Sequence, residues 1–318
     1  MMPTRMKFLA LLIPIVVSMS VAAIADAPAP FALHDLGHGA WAAIDNPDAK
    51  AARSGANAGF VIGDDGVAVV DTFENPAAAQ ELLDQIRLKT KLPIRFVVNT
   101  HYHLDHVAGN NIFAAVGATV MAQENVRVWE RTENSKFFGA KITPQQKEMV
   151  ESLGLPSVTY KDGVEIYLGA RKLIVRSLPG HTGGDSFVYD PAANVVFCGD
   201  LFWDHTLPNL IDASTKPWIS SLDTLLADYP TATFVPGHGE VGHAQDVRDF
   251  RGYLSDLRDF IAQAQAQGKS GDALMDAVMP QIKQKYGSWN FFGFAKLDIQ
   301  YTDQELRGQK RIPQPPSQ

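Results

Sequence analysis

The run Asn99-Thr100-His101-Tyr102-His103-Leu104-Asp105-His106 places four potential metal ligands within six residues. At this chain's composition, chance would produce His-x-His-x-Asp-His about once in 2,000 chains of this length. Burying three imidazoles and a carboxylate together is costly unless they are paired or bound to metal. Their density therefore points to a metal site. The apolar stretch Ile94 to Val98 just before them reads as a buried strand, so the cluster emerges from a strand end.

Three later stretches repeat that arrangement. Lys172 to Leu178 runs into Pro179-Gly180-His181, Val195 to Cys198 into Gly199-Asp200, and Thr233 to Val235 into Pro236-Gly237-His238. Each glycine permits a sharp turn and close backbone approach. The expectation is that ligands line one edge of a sheet, with helices between the strands, in a layered α/β fold. Zinc prefers about four ligands. His101, His103, Asp105, His106, His181, Asp200 and His238 are too many for one ion and suit two zinc ions with a bridging carboxylate.

The flanking segments follow from local signals. Phe60 to Ile62 and Val67 to Asp71, separated by Gly63-Asp-Asp-Gly66, read as a hairpin. Asn75-Pro76 opens a helix whose apolar face is Leu82, Leu83 and Ile86. Gly109-Asn-Asn111 opens another helix. Val247, Phe250, Leu254, Leu257, Phe260, Ile261 and Ala264 give residues 246–267 helical spacing, and Ser270 caps a further helix. One hydrolase domain is expected over residues 30–306, with 246–306 as a C-terminal helical part and 307–318 as a tail.

Composition sets the context. With 46% hydrophobic and 20% charged residues, the 318-residue chain can build a core and is not of the disordered class. Arg5 and Lys7, the apolar run Phe8 to Ile24, and Ala23-Ile24-Ala25 follow the order of a signal peptide covering residues 1–25. The protein is therefore expected in the periplasm or secreted, free of the membrane after cleavage. Losing those two basic residues takes the net charge from −7 to −9, which disfavours nucleic acid as a partner. Cys198 is the single cysteine, expected as a small buried hydrophobe. Weaker candidates are His205 as a lining residue, and His34, His38 and His243 as surface or capping residues. Trp129, Phe137, Phe138, Trp203 and Trp218 are candidates for an apolar substrate wall.

Together, Val-Val-Asp71, Asn-Thr-His101-Tyr-His103-Leu-Asp105-His106, Pro-Gly-His181-Thr, Gly-Asp200 and Pro-Gly-His238-Gly resemble the metallo-β-lactamase superfamily over roughly residues 35–245. The resemblance implies a four-layer αββα sandwich. It assigns His101, His103 and His181 to one zinc and Asp105, His106 and His238 to the other, with Asp200 bridging and Asp71 supporting from behind. It also implies hydrolysis by a metal-bridging hydroxide, with Asp105 and Asp200 as the catalytic carboxylates; the net positive charge of such a site favours a small, anionic substrate. Class B1 β-lactamases often carry Cys in place of Asp200, and Lys in place of Trp203 to hold a substrate carboxylate. Losing that charge-assisted bond costs about 1.5–3 kcal/mol. Class B3 enzymes usually have Ser at the Asp200 position, and quorum-signal lactonases often have Tyr at the Trp203 position. Glyoxalase II-like enzymes share all seven ligands, but no basic cluster here suits glutathione. The expectation is opening of a cyclic amide or ester, with a β-lactam narrowly ahead of a lactone. The alternatives are a thioesterase of the glyoxalase II-like kind and a zinc-binding protein without turnover.

Overall fold

The computed structural model describes residues 28–313. The expected signal segment, residues 1–25, lies outside the described residues, as does the end of the tail.

Seven strands form the first sheet in chain order: β1 (Phe31–Asp35), β2 (Ala40–Asp45), β3 (Ala58–Ile62), β4 (Val67–Val70), β5 (Ile94–Val98), β6 (Thr119–Gln123) and β7 (Val158–Tyr160). Neighbours from β1 to β4 are antiparallel, and those from β4 to β7 are parallel. The β3–β4 hairpin is the expected one, closed by Gly63 N–H donating to the Gly66 carbonyl. The parallel half needs crossovers. These are α1 (Pro76–Lys89), the short α2 (Leu104–Val107) and α3 (Asn110–Ala114), then α4 (Glu124–Phe137) and α5 (Pro144–Glu151). Asn75 caps α1 by accepting from Ala77 N–H, and Leu82, Leu83 and Ile86 are buried as their spacing requires.

The second sheet runs β12-β11-β10-β9-β8, built from β8 (Gly163–Leu168), β9 (Arg171–Ser177), β10 (Ser186–Asp190), β11 (Val195–Trp203) and β12 (Thr233–His238). Strands β8 to β11 are antiparallel neighbours, so no helices separate them, contrary to expectation. Only β11 and β12 pair in parallel, joined through α6 (Thr215–Asp228). The chain continues through α7 (Ala244–Ala266), α8 (Gly271–Tyr286) and α9 (Ala295–Leu306). Ser270 precedes α8, but its hydroxyl makes no cap bond; at the start of α7 the His243 backbone N–H donates to Asp246 Oδ2 at 2.7 Å.

Strand alternation sorts the core into three layers of contact. Val67 and Val69 face α1 and α3, packing with Leu82, Leu83, Ile86 and Phe113. Ala68 and Val70 face inward, meeting Val98, Leu173, Val175 and Phe197 between the sheets. On β11, Val196 and Cys198 turn outward onto Trp218, Leu222, Phe250 and Leu254 of α6 and α7. The layers are thus helix, sheet, sheet, helix, as the family resemblance implies. No helix among the described residues is long and apolar enough to cross a membrane.

Two expectations change. The ligands do not line one sheet edge, because the His101–His106 run follows β5 of the first sheet while the others belong to the second. The tail, expected to start at residue 307, is docked at its beginning: Lys310 Nζ donates to the Leu210 and Ala213 carbonyls, and Arg311 pairs with Glu133.

Candidate metal centre

The first sheet delivers its ligands through a braced loop. Asn99 and Asn110 exchange side-chain hydrogen bonds at 2.9 Å, and Thr72 N–H donates to the His106 carbonyl at 2.8 Å. His101 and His103 stand in the loop, while Asp105 and His106 ride on α2. In the second sheet, His181 follows β9, but Asp200 lies inside β11 and His238 ends β12. Both strands run past the points where their apolar cores end, so Asp200 sits within the strand rather than beyond it. Asn57 stitches the sheets together, donating to the Pro236 and Gly239 carbonyls at 3.0 and 2.9 Å. Gly237 is required by contact, since a Cβ there would lie 1.8 Å from Asp200 Oδ1.

The seven residues converge as two sets. His101, His103, His181 and Asp200 offer ligand atoms within 4.8 Å of one another, and so do Asp105, His106 and His238. Asp200 divides its oxygens between the sets. Oδ2 lies 3.1 Å from His181 Nε2 and 3.6 Å from His101 Nε2; Oδ1 lies 3.1 Å from His106 Nε2 and 3.5 Å from His238 Nε2. His238 Nε2 is also 3.3 Å from Asp105 Oδ2.

Hydrogen bonds behind the imidazoles fix which nitrogen points inward. Asp71 Oδ2 accepts from His106 Nδ1–H at 2.8 Å and from the Thr100 hydroxyl at 2.7 Å. With its proton given to Asp71, the Thr100 oxygen accepts from His101 Nδ1–H at 3.1 Å. Asp212 accepts from Tyr102 at 2.6 Å and from His103 Nε2–H at 3.3 Å, turning His103 Nδ1 inward to 2.8 Å from His181 Nε2. Asp71 holds its place at φ 60°, a strained conformation for a residue with a side chain.

The donor set fits metal ions. His101 Nε2, His106 Nε2, His238 Nε2 and Asp200 Oδ1 are buried with no hydrogen-bond partner among the described residues. Such orphaned donors and acceptors need a ligand. Charge supports the same reading. Burial would raise the Asp200 carboxyl, but His106, His238, His181 and His101 outweigh it and hold it well below the carboxylate range. Burial would lower His106 and His238, yet the Asp200 and Asp105 carboxylates push His106 well above its ordinary value and His238 up to about 9. His101 and His181 go down, chiefly through burial.

The site opens into a cleft of about 240 Å³ lined by His103, Asp105, Asn134, Phe137, Phe138, Asp200, Trp203, Asn209, His238, Phe291, Phe294, Glu74 and neighbours. Among the described residues, no Lys or Arg lines it.

A family model described as metallo-beta-lactamase superfamily matches residues 52–238. The chain belongs to that superfamily. It is 22% identical over 275 residues to a linear primary-alkylsulfatase of a Pseudomonas species, covering 70% of this chain and 52% of the relative. It is 29% identical over 171 residues to a hydroxyacylglutathione hydrolase of Brucella ovis, covering 54% of this chain and 57% of the relative. The chain thus spans about half the length of these curated relatives. A solved metallo-beta-lactamase from Pontibacter korlensis superimposes with a TM-score of 0.58 at 24% identity, covering 71% of this chain and 99% of that one, which shows the shared fold.

All seven expected residues meet in this superfamily site, with Asp71 behind them. The expected substrate wall divides. Phe137, Phe138 and Trp203 line the cleft, whereas Trp129 and Trp218 are core residues, 2% and 0% exposed. Trp203 is itself buried against His238, ring centroids 4.0 Å apart, with its N–H donating to the Asp200 carbonyl. It is therefore a packing residue beside a ligand as well as a lining one. His205 lies outside both sets, half-exposed and bonded to Asp204. Asp212, Asn134, Asn209, Phe291 and Phe294 were missed. Only the dense run Trp289-Asn-Phe-Phe-Gly-Phe294, which breaks helical periodicity, carried a signal.

Proposed function

We propose that the protein is a hydrolase holding two zinc ions and opening a cyclic ester or amide. The observation that carries this reading is the division of Asp200, one oxygen toward each ligand set. One carboxylate so placed would hold an ion on each side, with His101, His103 and His181 completing one set and Asp105, His106 and His238 the other. Zinc, when bound, supplies Lewis acidity, bringing the pKa of water to about 7 and polarising a carbonyl.

The chain's own residues have separable tasks. Asp200 ties the two sets together. Asp71 and Asp212 fix the imidazole tautomers. Asp105 is 28% exposed at the cleft floor; burial opposes its charge, but His106 and His238 draw it down to about 2, so it stays ionised. It can then accept a hydrogen bond from the attacking water and orient it toward the substrate carbonyl carbon. The aromatic walls exclude bulk water.

The lining refines the substrate. With no Lys or Arg in the cleft lining among the described residues, a substrate carboxylate has chiefly the metals to meet, which tilts the choice from β-lactam toward lactone. The Brucella relative favours a thioester, but glutathione's carboxylates find no cationic side chain here. The test is zinc-reconstituted protein assayed on one lactam, one lactone and one glutathione thioester, with elemental analysis. Two zinc ions per chain and ring opening that chelator abolishes are expected. Efficient thioester cleavage with both rings untouched would replace this reading.

A further inference from the structure

Phe137 and Phe291 are the phenylalanines among the large hydrophobic side chains left exposed, at 60% and 39%. Both stand at the same cleft, on opposite sources of chain: Phe137 ends α4, and Phe291 belongs to the connection between α8 and α9, beyond the family-matched residues. Exposed apolar side chains gathered around a polar cleft mark a binding groove.

Phe291 is held there against its own preference. Its φ of 55° is left-handed, which a phenylalanine adopts only when its surroundings dictate it. The surroundings are visible: Asn290 N–H donates to the His205 carbonyl and Leu207 N–H to the Asn290 carbonyl, both at 2.9 Å. These bonds tie the segment to the loop just after β11, the strand that carries Asp200 and Trp203. The Phe291 ring then meets Trp203 at 6.4 Å, His238 at 6.0 Å and Phe294 at 6.0 Å, edge to face in each case. In the same cleft lining, Phe137 and Phe138 pack edge to face at 5.8 Å, together with Leu104. Besides the ligand set, Glu74 is the one charged side chain in the lining among the described residues.

We propose that Phe291 and Phe294 form one jaw of an uncharged slot, with Phe137, Phe138 and Leu104 as the other. This slot selects ring esters or amides that carry an uncharged aromatic or alkyl substituent. The proposal rests on the hydrolase reading above and specifies its substrate class. An anionic substituent is disfavoured, because the lining offers Glu74 and no Lys or Arg among the described residues.

The experiment uses the zinc-loaded full-length protein with butyrolactone, its phenyl-substituted form and its carboxyphenyl-substituted form. Burial of a phenyl group should raise kcat/KM at least about tenfold over the plain lactone, mostly through KM. The carboxyphenyl form should gain nothing. Phe291→Ala should cut the phenyl advantage to within about threefold with zinc content unchanged, whereas Leu88→Ala, which alters a distant exposed side chain, should leave both the phenyl advantage and the plain-lactone rate as they were. Equal slowing of all lactones by Phe291→Ala, or preference for the carboxyphenyl form, overturns the slot. A phenyl-substituted cyclic ether, which has no carbonyl to attack, separates the two readings when its binding is followed by calorimetry. Phe291-dependent ether binding without lactone turnover supports the slot and rejects the hydrolase. Turnover of both lactones at equal rates without ether binding rejects the slot and keeps the hydrolase.

Discussion

On the cleft floor, His106 is fully buried, with Nδ1 2.8 Å from Asp71 and Nε2 3.1 Å from Asp200. On the rim, Phe291 keeps 39% of its surface in water and touches the floor only through ring edges. The floor lies within residues 52–238, which the family model matches, and this part of the rim lies beyond them. Metal binding demands fixed tautomers and fixed distances, so each floor residue is determined by several others. Apolar contact demands only volume and the absence of charge, so the rim is free to differ. On the proposed reading, chemistry is set by the first region and choice of substrate by the second.

The hardest blow to the floor is Asp200→Ala. It removes the group both ligand sets share, so metal content should fall well below two per chain and turnover by on the order of a thousandfold. The same measurement on His205→Ala should show metal content near the unmodified value, because His205 belongs to neither set. Equal metal loss in the two variants would show that the sets are wrongly drawn.

Less severe, and more selective, are Asp71→Asn and Asp212→Asn. Each keeps shape but removes the charge behind an imidazole, and such changes typically cost 10–100-fold in metal affinity. Asp71 stands behind His106 directly and behind His101 through Thr100, so its loss should weaken both sites. Asp212 stands behind His103 alone among the ligands, so its loss should weaken one. Competition with a graded chelator, resolving two affinities, checks the contrast; an identical pattern in the two variants contradicts it.

The two sets also differ in the protons they hold once metal is stripped. His106 and His238 are raised by their carboxylate neighbours, His238 to about 9, while His101 and His181 are lowered by burial. A raised pKa means stabilisation that is complete below the unfolded histidine value of about 6.5 and lost as pH climbs through about 9. Metal entering that set at neutral pH must displace those protons, so its affinity rises with pH over that window by up to about tenfold per proton per unit. The other set should bind with little release. Calorimetry in buffers of differing protonation enthalpy counts the protons, and equal release for both metals would refute the asymmetry.

The floor was legible in the sequence because few residue types can hold a metal, four of them crowd into six residues after one apolar stretch, and three more each follow an apolar stretch and a glycine. That Asp200 sits inside its strand was not legible, since Leu201, Phe202 and Trp203 extend β11 by burial that local pattern does not announce. Asp212 was hidden for a different reason: a lone carboxylate in Asn209-Leu-Ile-Asp212 gains its role only when the fold brings it against Tyr102 and His103. Phe291 stayed hidden within the expected C-terminal helical part, residues 246–306, because hydrophobicity alone does not tell a core ring from a rim ring.

The smallest expected effect tests whether the regions are as independent as the contrast claims. Lys310, in the docked tail, is mostly buried and donates to the Leu210 and Ala213 carbonyls, on either side of Asp212. Burial pushes its ammonium down to about 8, so it holds this position against a desolvation cost rather than by strong ion pairing. Lys310→Met would keep the apolar stem and remove both donors, loosening the loop that aims His103. A hydrogen bond from a charged group contributes about 1.5–3 kcal/mol, and only part of that reaches a ligand one residue-pair away. The expected result is therefore a loss of roughly fivefold in affinity at the site holding His103, with the other site unchanged. Lys269→Met, altering a lysine with no role at the Asp212 loop, should leave both affinities as they were. If Lys310→Met changes neither affinity while lowering thermal stability, the tail merely covers the body, and the floor depends on nothing beyond residue 238.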